Sequence, residues 1–211
     1  MLGLPATTEF NKKISKQMFY ENAKITPEQK KSFVSDIKGI YWCNKISSQT
    51  INVSEGESVS EIEIFRIDLH SDTINETILK LIDKSIPYNI VFVLEFQEKQ
   101  QLWVQNKKIS ESGSVSADKY FHTDWLKGEE QRLEVKGLNL DAVWENMVTQ
   151  IGGIVIEEGN TLTEQIAADE KRAKIEKEIA KLEKMAKNEK QPKKKFELAQ
   201  QIQKLKAGLT I

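Results

Sequence analysis

The chain has 211 residues, 31 Lys and Arg against 32 Asp and Glu, and a formal net charge of −1 at pH 7, which argues against a general nucleic-acid or membrane-surface binder. A single cysteine, Cys43, excludes an internal disulfide and a cysteine-built metal cage; with two histidines, metal chemistry would rest mainly on carboxylates. The balance hides an asymmetry, because residues 161–211 carry a net +5 and residues 1–160 a net −6. This length suits one domain with an appendage, and the texture divides it into a mixed α/β domain at 1–155 and a helical segment at 161–211. The N-terminus lacks a basic region and meets Glu9 before any long apolar run, and no segment reaches the roughly 18 apolar residues of a membrane span. The expectation is a soluble cytoplasmic protein with no membrane partner.

Residues 1–24 scatter hydrophobics among lysines and suggest a short helix and a strap over the core. Thr26-Pro27-Glu28-Gln29 is a helix start, with Thr26 as cap, Pro27 at the first helical position and Gln29 three residues on. Phe33, Val34 and Ile37 give that helix one face, ending at Gly39. Ile40 to Ile46 reads as a strand rich in β-formers. In Ile62 to Leu69 the apolar residues do not keep one parity, which points to a bulge or to burial on both faces. Ile74, Ile78, Leu81 and Ile82 mark a helix begun near Asp72, and Pro87 returns the chain to Ile90-Val91-Phe92-Val93-Leu94-Glu95-Phe96, the most apolar run in the sequence. Strand, three-turn helix, buried strand is a βαβ unit, so Ile62 to Leu69 should lie parallel to Ile90 to Phe96. Leu102-Trp103-Val104 is the returning arm of a hairpin.

Residues 107–118 read as a loop and Lys119 to Leu126 as a last strand ending near Asp124 and Trp125. Asn139 or Asp141 can cap a helix whose buried side holds Leu140, Val143, Trp144, Met147, Val148 and Ile151, stopped by Gly152-Gly153. From Thr161, Ile175, Ile179, Leu182 and Ala186 recur at coiled-coil spacing, and after Pro192 the pattern restarts with Leu198, Ile202, Leu205 and Leu209. The fold class is therefore α/β, a mixed sheet of about five strands with a βαβ unit, plus a C-terminal coiled-coil hairpin. A homodimer through the same apolar stripes is the rival arrangement.

Several side-chain groups could carry chemistry. His122 and Asp124, two apart on a strand, would share a face and could form an oriented base or half a metal site. The commoner explanation is a strand end where Asp124 caps a turn, Trp125 packs and His122 makes a local hydrogen bond. Glu61, Glu63, Asp68 and Glu95 fall on two strands, and helix, strand, strand, helix, strand is also the order of the restriction-endonuclease-like core, where strand carboxylates hold a divalent cation. That fold adds a lysine two residues after a carboxylate; here those positions are Glu63, Phe65 and Gln97, so the pattern lacks the residue it needs most. Lys187, Lys190, Lys193, Lys194 and Lys195 surround the helical bend and could meet phosphates or an acidic protein surface, although a solvated tip is the commoner use of such a run. Trp42, Trp103, Trp125 and Trp144 could stack bases, but each sits in an apolar pattern. No phosphate loop and no dinucleotide fingerprint is present, and His70 has no partner at metal spacing. No cofactor and no metal are called for.

Leu4-Pro5-Ala6-Thr7-Thr8-Glu9-Phe10-Asn11-Lys12, Ile40-Tyr41-Trp42-Cys43-Asn44-Lys45, Ile86-Pro87-Tyr88-Asn89-Ile90, the Tyr120 to Trp125 segment and Gln191-Pro192-Lys193-Lys194-Lys195-Phe196-Glu197-Leu198 together resemble a bacterial family catalogued as a domain of unknown function, number 4391. The resemblance covers essentially the whole chain and implies a context: such genes are often encoded near helicases, methyltransferases and restriction-type genes in loci that look like phage defence. It carries over no catalytic residue.

The reading that results is a non-enzymatic accessory subunit that recruits a helicase- or methyltransferase-type partner through its hairpin. A divergent metal-dependent nuclease and a nucleic-acid adaptor using the basic hairpin are the alternatives.

Overall fold

A computed structural model describes residues 2–22, 25–109 and 115–209. The chain divides into two compact units, Met1–Ile154 and Val155–Ile211.

The first unit is built on a mixed sheet in sequential order: β1 (Glu9–Ile14), β2 (Ile37–Ser47), β3 (Glu61–Leu69), β4 (Asn89–Phe96), β5 (Lys99–Ile109) and β6 (Val115–His122), with β7 (Leu126–Lys127) beside the start of β5. Among the described strand pairs, β3 and β4 alone run parallel, joined over α3 (Glu76–Ser85) as the βαβ reading requires. The sheet thus has seven strands where the sequence suggested about five.

Each missed element has a local cause. β1 is an edge strand with a mostly exposed burial pattern, a register shift between Glu9 and Lys12 and a left-handed Asn11 at φ 51°, so it shows no alternation to read. The expected 107–118 loop is mostly strand: β5 runs to Ile109 and β6 starts at Val115, while residues 110–114, including Gly113, lie outside the described residues. The chain meets its hairpin turn at Gln97 and Glu98, both left-handed. Gly39 does not end a helix. α2 (Pro27–Asp36) stops earlier, and Gly39 lies inside β2, where a Cβ would approach the Tyr41 ring to 2.9 Å.

Two layers cover the sheet. Phe65, Ile67 and Leu69 of β3 and Ile90, Phe92 and Leu94 of β4 pack with Phe19 of α1 (Lys16–Asn22), Phe33 of α2 and Ile78, Leu79, Leu81 and Ile82 of α3. The alternate residues Ile62, Ile64, Val91, Val93, Leu102 and Val104 are also buried and point to the other face, where α4 (Leu140–Gly152) contacts β3, β5 and β6. Burial on both sides explains the continuous apolar run of β4, whose core residues each contribute about 1.5–3 kcal/mol. It also explains the broken parity of β3, whose register against β4 is uninterrupted; the bulges are in β2, at Lys38 and Cys43.

Thr26 and Gln29 form the expected reciprocal capping box, and Asn139 caps α4 by accepting from Ala142 N–H at 2.9 Å. α3 starts later than expected: Asn75 caps it by accepting from Thr77 N–H, so Asp72 and Ile74 precede the helix. Asp141, the other expected cap, instead accepts from the backbone N–H groups of Glu57, Ser58 and Val59. Gly153 ends α4 in the left-handed conformation at φ 60°.

The second unit consists of α5 (Leu162–Asn188) and α6 (Pro192–Gly208), separated by Glu189, Lys190 and Gln191. Thr161 and Glu164 box the start of α5, Pro192 opens α6, and Lys206 bridges to Glu183 at 2.7 Å. Ile179 is buried, whereas Leu198, Ile202 and Leu205 are half-buried and no residue of α6 is fully buried. Among the described residues, no helix is long and apolar enough to cross a membrane.

Candidate functional site

The four strand carboxylates separate by face. Glu61 and Glu63 share the parity of Phe65 and point to the helix side formed by α1, α2 and α3. Asp68 and Glu95 are register partners on β3 and β4 and point to the α4 side. The sheet therefore does not bring the four together. Among the described residues no group of three or more His, Cys, Asp or Glu side chains is placed to hold a metal ion.

On the helix side, Glu63 is 1% exposed. Burial, then the hydrogen bond and charge of Glu61, push its carboxyl up to about 9. Burial also raises Glu61, but the hydrogen bond from Glu63 and the ion pair with Lys45 outweigh it and hold Glu61 below the usual range. Lys45 Nζ lies 2.5 Å from Glu61 Oε2. At neutral pH Glu63 therefore keeps its proton, while Glu61 is ionised beside Lys45. A cleft of 150 Å³ adjoins it, lined by Ser58, Glu61, Asp83, Lys84 and Tyr88 among others, at the N-terminal ends of β3 and β4. Asp83 is itself buried and accepts a 2.6 Å hydrogen bond from the Tyr120 hydroxyl. Burial and then the nearby carboxylate push that phenol upward, so it remains a donor.

On the α4 side, Arg66 Nε lies 2.9 Å from Asp68 Oδ1 and 4.0 Å from Glu95 Oε2, and its guanidinium stacks 4.5 Å over the Tyr41 ring. Gln100 Nε2 donates to Glu95 at 2.9 Å. Burial raises Asp68 even against the pull of Arg66. The side chain of Glu95 is 32% exposed, so the one charge in the apolar β4 run sits at its end, paired and open to water. Cys43 is buried nearby, and burial pushes its thiol up, away from nucleophilic chemistry at neutral pH.

His122 closes β6, whereas Asp124 lies beyond it in the link to β7. His122 is exposed and stacks on Trp103 at 4.6 Å; its Nδ1 lies 3.0 Å from the Thr123 carbonyl and 3.2 Å from Gln101 Nε2. Asp124 offers its backbone carbonyl to Thr123 Oγ1. The partners found for His122 are thus Trp103, Gln101 and the Thr123 backbone.

Lys187, Lys190, Lys193, Lys194 and Lys195 are all exposed around the turn between α5 and α6. From Lys181 to Lys195 there are seven lysines against two glutamates. Glu189 accepts from Gln191 N–H at 2.8 Å, and that bond holds its carboxyl below the usual range. Beside the lysines, Phe196 is 64% exposed and Met185 is 49% exposed.

Sequence reasoning passed over Asp83 and Tyr120 as a pair. The available signal was the position of Asp83 four residues after the buried Leu79, on the apolar side of α3.

A family model described as a domain of unknown function (DUF4391) matches residues 2–209. No curated protein and no solved structure matches the chain.

Proposed function

The chain belongs to the DUF4391 family, and we propose that it is a non-enzymatic accessory subunit working beside a bacterial helicase or restriction-modification type machine in phage defence. It docks through α5 and α6, folded back as a coiled-coil hairpin. The observation that carries this reading is the exposed Phe196 at the start of α6, set among seven lysines. A solvated tip has a use for lysines but none for a phenylalanine in water, whereas aromatic residues within a polar rim are what partner surfaces use. Lys193, Lys194 and Lys195 also occupy the first turn of α6, against the helix dipole, so this end is not tuned for helix stability. The class of partner comes from the genomic context that the sequence resemblance implies.

The experiment is co-purification of the tagged full chain with the helicase- and methyltransferase-type proteins encoded beside it, after nuclease treatment to remove DNA bridges. Retention of one of them is the expected result. Retention of none rejects the proposal.

One observation favours a second reading, a divergent metal-dependent nuclease. Asp68 and Glu95 face the same side on adjacent strands, as a cation shared between strands would need. Glu61 and Glu63 take no part in it, being on the opposite face, and Arg66 already bridges the remaining pair.

A further inference from the structure

A groove of 390 Å³ runs between α5 and α6 near their turn, lined by Lys181, Lys184, Met185, Asn188, Glu189 and Leu198. Met185 and Leu198 give this groove its apolar lining, and Lys181 and Lys184 its positive charge. We propose that this groove binds an acidic protein segment carrying an apolar anchor, whose side chain rests on Met185 and Leu198 while its carboxylates meet the two lysines. The proposal rests on the reading of these helices as a partner surface and names the chemistry of what they take.

Three observations select this occupant over nucleic acid. The apolar lining of Met185 and Leu198, with its flexible thioether, suits an aliphatic or aromatic side chain and offers nothing to a phosphate. The basic residues from Lys181 to Lys195 are all lysines, with no arginine fork for bidentate phosphate recognition. Glu189, whose carboxylate accepts from the Gln191 N–H, lines the same groove and would repel a polyanion passing along it, whereas a short segment with spaced carboxylates can avoid it. Charge complementarity with spaced acids and an apolar anchor is the pattern the groove presents.

The test is fluorescence anisotropy on the full chain with three labelled probes: an acidic peptide with a central Leu-Leu, the same peptide with Ser-Ser in its place, and a DNA duplex of about 20 base pairs. The leucine peptide is expected to bind at least about fivefold more tightly than the serine peptide. The Lys181→Glu, Lys184→Glu double variant is expected to weaken it about tenfold, the scale of one lost charge-assisted contact. Both lysines are exposed, so helicity measured by circular dichroism should not change; Met185→Ser provides an independent variant that leaves the charge intact and weakens the leucine peptide selectively. Equal affinity for the two peptides, indifference to the double variant, no peptide binding, or tighter and steeply salt-dependent duplex binding each overturns the proposal. Failure here is separable from failure of the accessory reading: a neighbour-encoded partner still retained in co-purification by the Lys181→Glu, Lys184→Glu variant leaves that reading standing without this groove.

Discussion

Glu63, 1% exposed, keeps its proton two residues from Glu61 on the same face of β3, while Lys45 pairs with the charged Glu61. The folded chain keeps Glu63 neutral up to about pH 9, whereas an unfolded glutamate ionises near 4.5. Between those values the folded state binds the extra proton, so stability falls as pH rises through the window and levels off above it. The depressed value of Glu61 acts only below its usual 4.5, where stability is lost as pH falls. Glu63→Gln keeps the size and neutrality of the protonated side chain and removes the titration. Thermal scans from pH 5 to 9 should show the variant melting roughly 2–6 °C above the wild type at pH 8 and converging with it near pH 5. Parallel pH slopes for the two proteins would contradict a Glu63 that stays protonated at neutral pH.

Tyr120→Phe removes the 2.6 Å donor to Asp83 and leaves a buried carboxyl short of a hydrogen bond. Urea unfolding should show a loss of about 1–3 kcal/mol with little change in the slope against denaturant. A loss below about 0.5 kcal/mol would mean that the bond between α3 and β6 contributes little to the core.

Asp141→Ala strips the acceptor from three consecutive backbone N–H groups, at Glu57, Ser58 and Val59. Amide exchange at these three positions should accelerate at least about tenfold, while β3 and β4 keep their protection. Unchanged exchange would show that the loop is held by something other than this carboxylate.

Incubation with Mg²⁺ or Mn²⁺ and DNA tests the nuclease reading. On the accessory reading no cleavage appears above background, and Glu95→Ala changes nothing. Metal-dependent cleavage abolished by Glu95→Ala, with folding intact, would instead establish Asp68 and Glu95 as the site.

Much of this architecture was legible in the residues. β4 announced itself because a strand buried on both faces has no polar interruptions, and the parallel β3 followed from helix length and the position of Pro87. The caps at Thr26 and, with Asp141 as its alternative, Asn139 could be read because each places an oxygen beside a known set of orphan N–H groups. What could not be read depended on partners distant in sequence. β1 is too exposed to alternate, and the β2 bulges at Lys38 and Cys43 break the simple count from one residue to its face. The split of Glu63 from Glu95 needed the register of β3 against β4, although the shared parity of Glu63 with Phe65, Ile67 and Leu69 already placed it on a core face. His122 looked paired with Asp124 because the strand seemed to continue; it ends at His122.

The central claim, that the lysine-rich end of the helical unit holds the partner, is tested most directly by quantitative co-purification with the Lys193→Glu, Lys194→Glu, Lys195→Glu triple variant. The three lysines are exposed, and the acidic replacements suit the first turn of α6, so the fold should persist with unchanged helicity. The expected result is at least a tenfold loss of the retained helicase- or methyltransferase-type protein relative to wild type. Equal retention by the two proteins would contradict the claim.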